Sequence, residues 1–299
     1  SIGINTITAI GLNTSQQAAT YTFRVVPMLT AITPTEGTVG IVVTLSGNGY
    51  KASETIHVGF GTTPTIVVAA AAGDGIIYAT FTTNIQVYGT QAVKATGLTS
   101  GGTATINFKV LPHITLISPS TGSVGMSVTV YGDGFINNSA LNILFGTQGV
   151  TATRTTLGDG SFGTATFVVG YQPFGSTTVT ARMVNAADVE NTGVFKILTD
   201  IVMVTPSSGT VGTVVNVQGT GFVTNEMIDI EFGNSTFGEG NIPNVAGTFT
   251  CSFTVNSQPY GTTTVKTIGY ISIVPVYRSF IILPKLTNVS PVRGTVGTV

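Results

Sequence analysis

The chain has 299 residues, of which 11 are Lys or Arg and 12 are Asp or Glu, and its net charge is −1. A charged share of 8% is far below the about 25% of ordinary soluble domains, and without a basic cluster the chain cannot neutralise nucleic-acid phosphates. We therefore expect no nucleic-acid partner. The 38 glycines, the many Thr and Val residues and the absence of Trp favour β-strands and tight turns over helices.

Three further features concern membrane spans, signal peptides and disulfides. No apolar run reaches the ~18 residues that span a bilayer, and one of the longest is Ile66–Ala72, so we expect no membrane span in this segment. Residues Ser1–Asn5 lack the basic start and apolar stretch of a signal peptide, which is expected to be removed or to lie outside this segment. The single cysteine, Cys251, excludes an internal disulfide.

The chain repeats itself every 85 to 87 residues. Each copy starts with a Pro-x-x-Gly-x-Val-Gly motif, and the motifs begin at Pro34, Pro119, Pro206 and Pro291. Every complete copy continues with a Gly-x-Gly-aromatic motif, a Phe-Gly pair and an aromatic-Gly pair. In the second copy these are Gly132–Phe135, Phe145-Gly146 and Phe174-Gly175.

These landmarks divide the chain into five parts. Three complete repeats are predicted at residues 29–112, 113–199 and 200–284. Residues 1–28 are interpreted as the C-terminal strands of a preceding repeat, and residues 285–299 as the first strand of a following one. The chain thus either is cut from a longer array, which we favour, or exchanges strands between subunits at its two ends. There, residues 1–27 and 285–299 total 42 residues, too few to complete a domain.

Alternating apolar residues predict seven short strands in the second repeat. They are Ile114–Ser118, Ser127–Tyr131, Leu141–Phe145, Val150–Thr155, Gly163–Val169, Thr177–Met183 and Gly193–Leu198. Seven strands in about 85 residues indicate an immunoglobulin-like sandwich. The predicted fold is therefore all-β, with tandem immunoglobulin-like β-sandwich domains arranged end to end. Short junctions such as Phe108–Ile114, with Pro112 inside, indicate a semi-rigid rod.

The motifs from Pro34 to Gly61 resemble those of the IPT/TIG family of immunoglobulin-like domains, and the other two repeats match at corresponding places. The resemblance implies the fold but not one function, because such domains serve in receptors, transcription factors, carbohydrate-active enzymes and prokaryotic surface proteins. Tandem, charge-poor copies look most like prokaryotic S-layer, filament or adhesin proteins.

Candidate catalytic and metal-binding residues are few. The two histidines, His57 and His113, have no Cys or carboxylate at metal-ligand spacing. Cys251 aligns with Ala79 and Ala165 of the other repeats, so it is interpreted as a small core residue. We predict no catalytic residues, no cofactor and no enzymatic activity.

The densest acidic group is Glu226, Asp229, Glu231 and Glu239. Asp229 and Glu231 share one strand face and are candidate calcium ligands. The alternative, a solvated strand face, is favoured because the first two repeats have no acidic pair at these positions.

Four Asn-x-Ser/Thr acceptors are candidate glycosylation sites: Asn13, Asn137, Asn234 and Asn288. The first three fall in predicted loops. Asn288 lies on a predicted starting strand.

The leading functional hypothesis is an extracellular structural protein, a segment of a self-assembling cell-surface polymer of the S-layer or filament type. Its partners would be copies of itself and possibly glycans, because so few charges leave strand edges poorly guarded against association. The alternative is an adhesin stalk or carbohydrate-binding module, for which Tyr270, Tyr277 and Phe237 are the candidate aromatic cluster. A third possibility is an accessory region of a secreted enzyme.

Overall fold

A computed structural model describes residues 2–12, 18–290 and 292–297, apart from the side chains of 238–241. It begins with a hairpin of two antiparallel strands, β1 (Gly3–Ile10) and β2 (Ala18–Val25), that forms a sheet of its own. Three β-sandwiches follow along the chain.

The first complete repeat is a sandwich of a three-stranded and a five-stranded sheet. Its strands are β3 (Met28–Thr33), β4 (Glu36–Gly37), β5 (Val42–Asn48), β6 (Thr55–Phe60), β7 (Thr63–Ala70), β8 (Ile77–Thr82), β9 (Gly89–Gly97) and β10 (Thr103–Val110). The strand orders are β3-β5-β8 and β4-β10-β9-β6-β7.

The second repeat has the same topology, with orders β11-β13-β16 and β12-β18-β17-β14-β15. Its strands are β11 (His113–Ser118), β12 (Thr121–Gly122), β13 (Ser127–Asp133), β14 (Ala140–Phe145), β15 (Val150–Thr155), β16 (Phe162–Val168), β17 (Gly175–Met183) and β18 (Glu190–Ile197). A short 3-10 helix, Gly146–Gln148, joins β14 to β15.

The third repeat keeps this topology, with orders β19-β21-β24 and β20-β26-β25-β22-β23. Its strands are β19 (Asp200–Thr205), β20 (Ser208–Gly209), β21 (Val214–Thr220), β22 (Ile228–Phe232), β23 (Ser235–Asn241), β24 (Phe249–Thr254), β25 (Gly261–Gly269) and β26 (Val276–Ile282). The predicted all-β, tandem immunoglobulin-like fold is confirmed.

All seven strands predicted for the second repeat are present. The pattern missed β12, two residues that pair in parallel with β18 as the chain crosses between the sheets. A strand of two residues has no alternation to detect.

A phenylalanine triad fills each core because strand alternation turns these residues inward. In the second repeat the ring of Phe145 lies 4.9 Å from that of Phe167 and 5.8 Å from that of Phe195. The other repeats have the same arrangement, formed by Phe60, Phe81 and Phe108, and by Phe232, Phe253 and Phe280.

The β1–β2 hairpin occupies the same position as β9–β10 in a complete repeat. Its Ile7 and Phe23 correspond to Val93 and Phe108, which are fully buried, yet they are 59% and 44% exposed. The hairpin thus presents core side chains that no other described strand covers. Within the described residues after β26, the structure assigns no strand, although the first strand of a following repeat is predicted at 285–299.

Candidate functional sites

Consecutive repeats meet through one recurring backbone hydrogen bond. The donor is the backbone N–H of the residue that precedes the first glycine of β1, β9 or β17. The acceptor is the backbone carbonyl oxygen of the aromatic residue in the Gly-x-Gly-aromatic motif of the following repeat. The donor and acceptor pairs are Ile2 and Tyr50 (3.4 Å), Tyr88 and Phe135 (3.0 Å), and Phe174 and Phe222 (3.1 Å). The joints therefore share one geometry.

The second glycine of that motif allows the repeats to approach. Gly134 has a φ of +69°, and a Cβ there would lie 2.4 Å from the carbonyl oxygen of Leu111. Gly221 has a φ of +70°, and its Cβ would lie 2.3 Å from the carbonyl oxygen of Leu198. Only glycine fits, because a side chain would overlap the end of the preceding repeat.

Another glycine, Gly160, lies outside the motif and contributes to the joint between the first two repeats. A Cβ on Gly160 would lie 2.3 Å from the carbonyl oxygen of Phe135 and 3.0 Å from the Cα of Val87. The neighbouring Tyr88 is half-buried and packs against the core of the second repeat. The joint is thus a direct contact between repeats.

Two buried glutamates hold loops together inside the first and third repeats. The carboxylate of Glu54 accepts hydrogen bonds from the N–H groups of Lys51 (2.8 Å) and Ser100 (3.0 Å) and from the Ser100 hydroxyl (2.9 Å). Glu226 accepts from the N–H groups of Val223, Ile271 and Ser272 and from the Ser272 hydroxyl, at 2.6 to 2.9 Å. We call each arrangement a glutamate clamp.

The second repeat has no such clamp, and three positions differ together. Where the clamped repeats have a glutamate, a glycine and a serine, this repeat has Ser139, Met183 and Ala186. A Cβ on Gly269 would lie 2.3 Å from Oε2 of Glu226, so the glycine makes room for the carboxylate. In the second repeat a cavity of about 170 Å³ lies at this place, and it is lined by Ile136, Ser139, Ala140, Met183, Asn185 and Ala186.

The clamp predicts a loss of stability in acid. Burial alone would raise the pKa of Glu54, but the hydrogen bonds from Ser100 and Lys51 outweigh burial and leave the pKa below its ordinary value. The unfolded pKa is about 4.3, so the stabilisation is fully present above that pH and is lost as the pH falls through the folded pKa. We expect thermal unfolding midpoints measured from pH 6 to pH 2.5 to fall less steeply for Glu54→Gln than for the wild type.

Ser100→Ala, which removes one donor and keeps the carboxylate, should give an intermediate slope. Parallel curves for all three proteins would contradict the assignment.

The two histidines lie in different repeats, His57 on β6 and His113 on β11. Nδ1 of His57 is 3.4 Å from the Thr65 hydroxyl, and Nδ1 of His113 is 3.9 Å from Oδ1 of Asp133. Burial raises the pKa of Asp133, and His113 offsets this only in part. Among the described residues, no group of three or more His, Cys, Asp or Glu side chains is placed to hold a metal ion.

Cys251 packs against the core of the third repeat and is partly buried. Burial raises the pKa of its thiol to about 11, so the thiol is protonated at neutral pH. This placement agrees with the interpretation of Cys251 as a core residue.

The candidate calcium ligands Asp229 and Glu231 both project from β22, but each has a partner. Lys266 Nζ donates to Oε1 of Glu231 at 2.9 Å, and the Tyr270 hydroxyl donates to Oδ1 of Asp229 at 3.3 Å. The hydrogen bond to Glu231 raises the pKa of Lys266. Glu226 is buried in its clamp, away from this face. Glu231 is paired with an ammonium and Asp229 with a hydroxyl donor, so we propose no calcium site here.

Three of the four glycosylation candidates are exposed. Asn137 and Asn234 lie in turns, and Asn288 lies outside any assigned strand, although a strand is predicted there. Asn13 lies outside the described residues.

The predicted aromatic cluster is only partly correct. Tyr270 and Tyr277 are each 53% exposed, but the ring of Phe237 lies 5.3 Å from that of Phe253 and packs against the core. Phe237 is partly buried on β23 and packs toward the other sheet, so it does not belong to the exposed pair of tyrosines.

Residues 112–197 match the family model of the IPT/TIG domain. The second repeat is thus similar to IPT/TIG domains over nearly its whole length. The match confirms the resemblance drawn from its motifs, and the first and third repeats share the strand order of this matched repeat. Among curated proteins, no sequence matches the chain. Within the described residues, none of the helices has the length and apolar character that crossing a membrane requires.

Several solved structures match the chain at low sequence identity. One, determined with a xylogluco-oligosaccharide, is 14% identical, with a TM-score of 0.31, and the match covers 85% of this chain and 60% of that one. Invasin, a bacterial integrin-binding protein, is 13% identical, with a TM-score of 0.28 and coverages of 86% and 60%. A Bacteroides ovatus protein, SGBP-B of a mixed-linkage glucan utilization locus, is 11% identical, with a TM-score of 0.27 and coverages of 86% and 70%. The chain thus spans 60% of the length of the first two.

Proposed function

We propose that this chain is a non-catalytic structural segment of an extracellular, self-assembling cell-surface polymer of the S-layer or filament type, with copies of itself as partners. The observation that carries the proposal is the joint, which uses equivalent backbone atoms at three successive positions. A stack of similar units with direct contacts and no flexible linker suits a rod.

The third repeat has the same kind of joint residue as the others. Tyr260 occupies the position that Tyr88 and Phe174 hold in the joints, and it borders a cavity of about 320 Å³ whose lining also includes Leu283, Pro284 and Lys285. The third repeat therefore carries the same joint position as the repeat before it.

The edge strands support lateral association between copies. β8, β16 and β24 each end a three-stranded sheet, and none of them contains a charged residue. Natural proteins commonly protect such edges with charges, because their free N–H and C=O groups pair readily with another chain. Exposed Tyr78 and Val168 add apolar surface on two of these strands.

Lysines on these edges test the proposal. Thr80, Thr166 and Ser252 are exposed, equivalent positions on the three strands. We expect the wild type to form ordered assemblies in electron micrographs at neutral pH, and the variant Thr80→Lys/Thr166→Lys/Ser252→Lys to remain monomeric. Its stability should change by only about 0.5 kcal/mol per site, because these side chains face solvent.

A matched control places three lysines on inner strands of the five-stranded sheets, as Ala92→Lys/Thr178→Lys/Thr264→Lys. It adds the same charge away from any edge and should still assemble. A wild type that forms only soluble monomers would contradict the proposed polymer, and loss of assembly in both variants would contradict the role of the edges.

One observation favours a second candidate function, an adhesin stalk or carbohydrate-binding region. Tyr270 and Tyr277 lie exposed on the third repeat, at positions where the other repeats have no aromatic residue.

A further inference from the structure

The third repeat carries an aromatic and charged patch on the outer face of its five-stranded sheet. β22 turns Asp229 and Glu231 outward, between inward-facing residues. The strand register places Glu231 opposite Lys266, and Lys266 opposite Tyr277. Directly opposite residues in antiparallel strands have Cβ atoms about 5 Å apart, so these three side chains form one row across the sheet.

Hydrogen bonds hold the polar groups of the patch in place. Lys266 donates to one oxygen of Glu231 at 2.9 Å, and Tyr270 donates to one oxygen of Asp229 at 3.3 Å. Each carboxylate retains acceptor capacity on its second oxygen. Asp229 and Glu231 are two residues apart on the strand, or about 7 Å, so the patch is longer than one sugar ring.

The other two repeats provide an internal comparison because their five-stranded sheets have the same strand order. At the positions of Asp229, Glu231, Lys266, Tyr270 and Tyr277, the first repeat has His57, Gly59, Lys94, Leu98 and Thr105, and the second has Asn142, Leu144, Thr180, Val184 and Thr192. The combination of two tyrosines with two carboxylates thus occurs in the third repeat alone among the three.

We propose that this patch binds a neutral oligosaccharide chain. A tyrosine ring offers a flat apolar face for the C–H groups of a sugar ring, and carboxylates accept strong hydrogen bonds from sugar hydroxyls. Two carboxylates and one ammonium leave a net negative charge, which disfavours acidic polysaccharides. This inference deepens the second candidate function, and it does not depend on self-assembly.

The test is native electrophoresis in gels containing galactomannan, xylan, dextran or hydroxyethyl cellulose. The edge-lysine variant serves as the parent protein, so that assembly does not slow migration. We expect at least one polysaccharide to retard it. Tyr277→Ala should weaken binding at least tenfold and Asp229→Ala comparably, whereas Tyr277→Phe should retain most of it.

Thr105→Ala and Thr192→Ala, at the equivalent positions of the other repeats, are the matched controls and should bind as the parent does. Tyr277 is half exposed, so its replacement should leave the thermal midpoint unchanged. The proposal is overturned if none of the four polysaccharides retards the parent, or if Tyr277→Ala and Asp229→Ala bind as tightly as it does. Neither result bears on assembly of the wild type, which electron microscopy measures separately.

Discussion

Replacing Gly134 by alanine is expected to loosen the joint between the first and second repeats and to destabilise the chain by about 3 kcal/mol or more. About 1–2 kcal/mol comes from the left-handed backbone, which alanine adopts poorly. The rest comes from overlap of the new Cβ with the carbonyl oxygen of Leu111, 2.4 Å away. That oxygen belongs to the backbone, so relief requires the repeats to separate. Denaturant unfolding measures the energy, and small-angle X-ray scattering measures the separation.

Gly125 supplies the matched control. It lies in a turn of the same repeat with a φ of +89°, but a Cβ there would meet nothing within 4 Å. Gly125→Ala should therefore show the backbone cost alone and leave the scattering profile unchanged. Equal losses of stability for Gly134→Ala and Gly125→Ala would show that the joint does not require glycine.

Replacing Glu226 by glutamine should destabilise the third repeat by about 3 kcal/mol. The carboxylate accepts four hydrogen bonds, from Val223, Ile271 and the N–H and hydroxyl of Ser272. Glutamine keeps the shape but turns one acceptor oxygen into a donor that faces buried N–H groups, and each unsatisfied buried donor costs about 1–3 kcal/mol. Denaturant unfolding monitored by circular dichroism measures the difference.

Gly269→Ala reaches the same clamp without removing the charge, because its Cβ would lie 2.3 Å from Oε2 of Glu226. It should destabilise the repeat by displacing the carboxylate. The double variant should lose much less than the sum of the two single losses, since both act on one clamp. Additive losses would show that the two residues act independently.

The repeats and strands were predictable because their signal is local. Inward residues alternate along β8 as Ile77, Ala79 and Phe81, and the turn glycines recur at nearly constant spacing. Such patterns follow from the geometry of a half-buried strand. The short strand β12 carries no pattern of its own and depends on the partner strand that the fold brings to it.

The glutamate clamps were not predicted, because Glu54 and Glu226 look like ordinary loop glutamates. Their partner Ser100 lies 46 residues from Glu54, and Ser272 lies 46 residues from Glu226. A signal did exist in the repeats, since the glutamate, the glycine and the serine change together in the second one. Likewise, Phe237 was included in the candidate aromatic cluster, because the sequence around β23 does not distinguish an inward-facing aromatic residue from an outward-facing one.

From the sequence, the joint glycines are landmarks of the repeat and belong to a composition that favours tight turns, but their role in the joint was not predicted. The Gly-x-Gly-aromatic motif is compatible with a positive φ. No side chain fits at its second glycine because the carbonyl oxygen of Leu111 or Leu198, in the preceding repeat, lies too close. The sequence pattern of one repeat does not indicate which atoms of the neighbouring repeat it will contact.

The joint is made by a backbone N–H, a backbone carbonyl and a glycine, which every copy can supply whatever its surface side chains. The middle residue of the motif is accordingly Asn48, Asp133 or Thr220. Repeats are therefore interchangeable parts: a duplicated, deleted or recombined copy would meet its new neighbour with a compatible surface already formed. Such a chain can change its length during evolution by whole units, without first evolving a new interface.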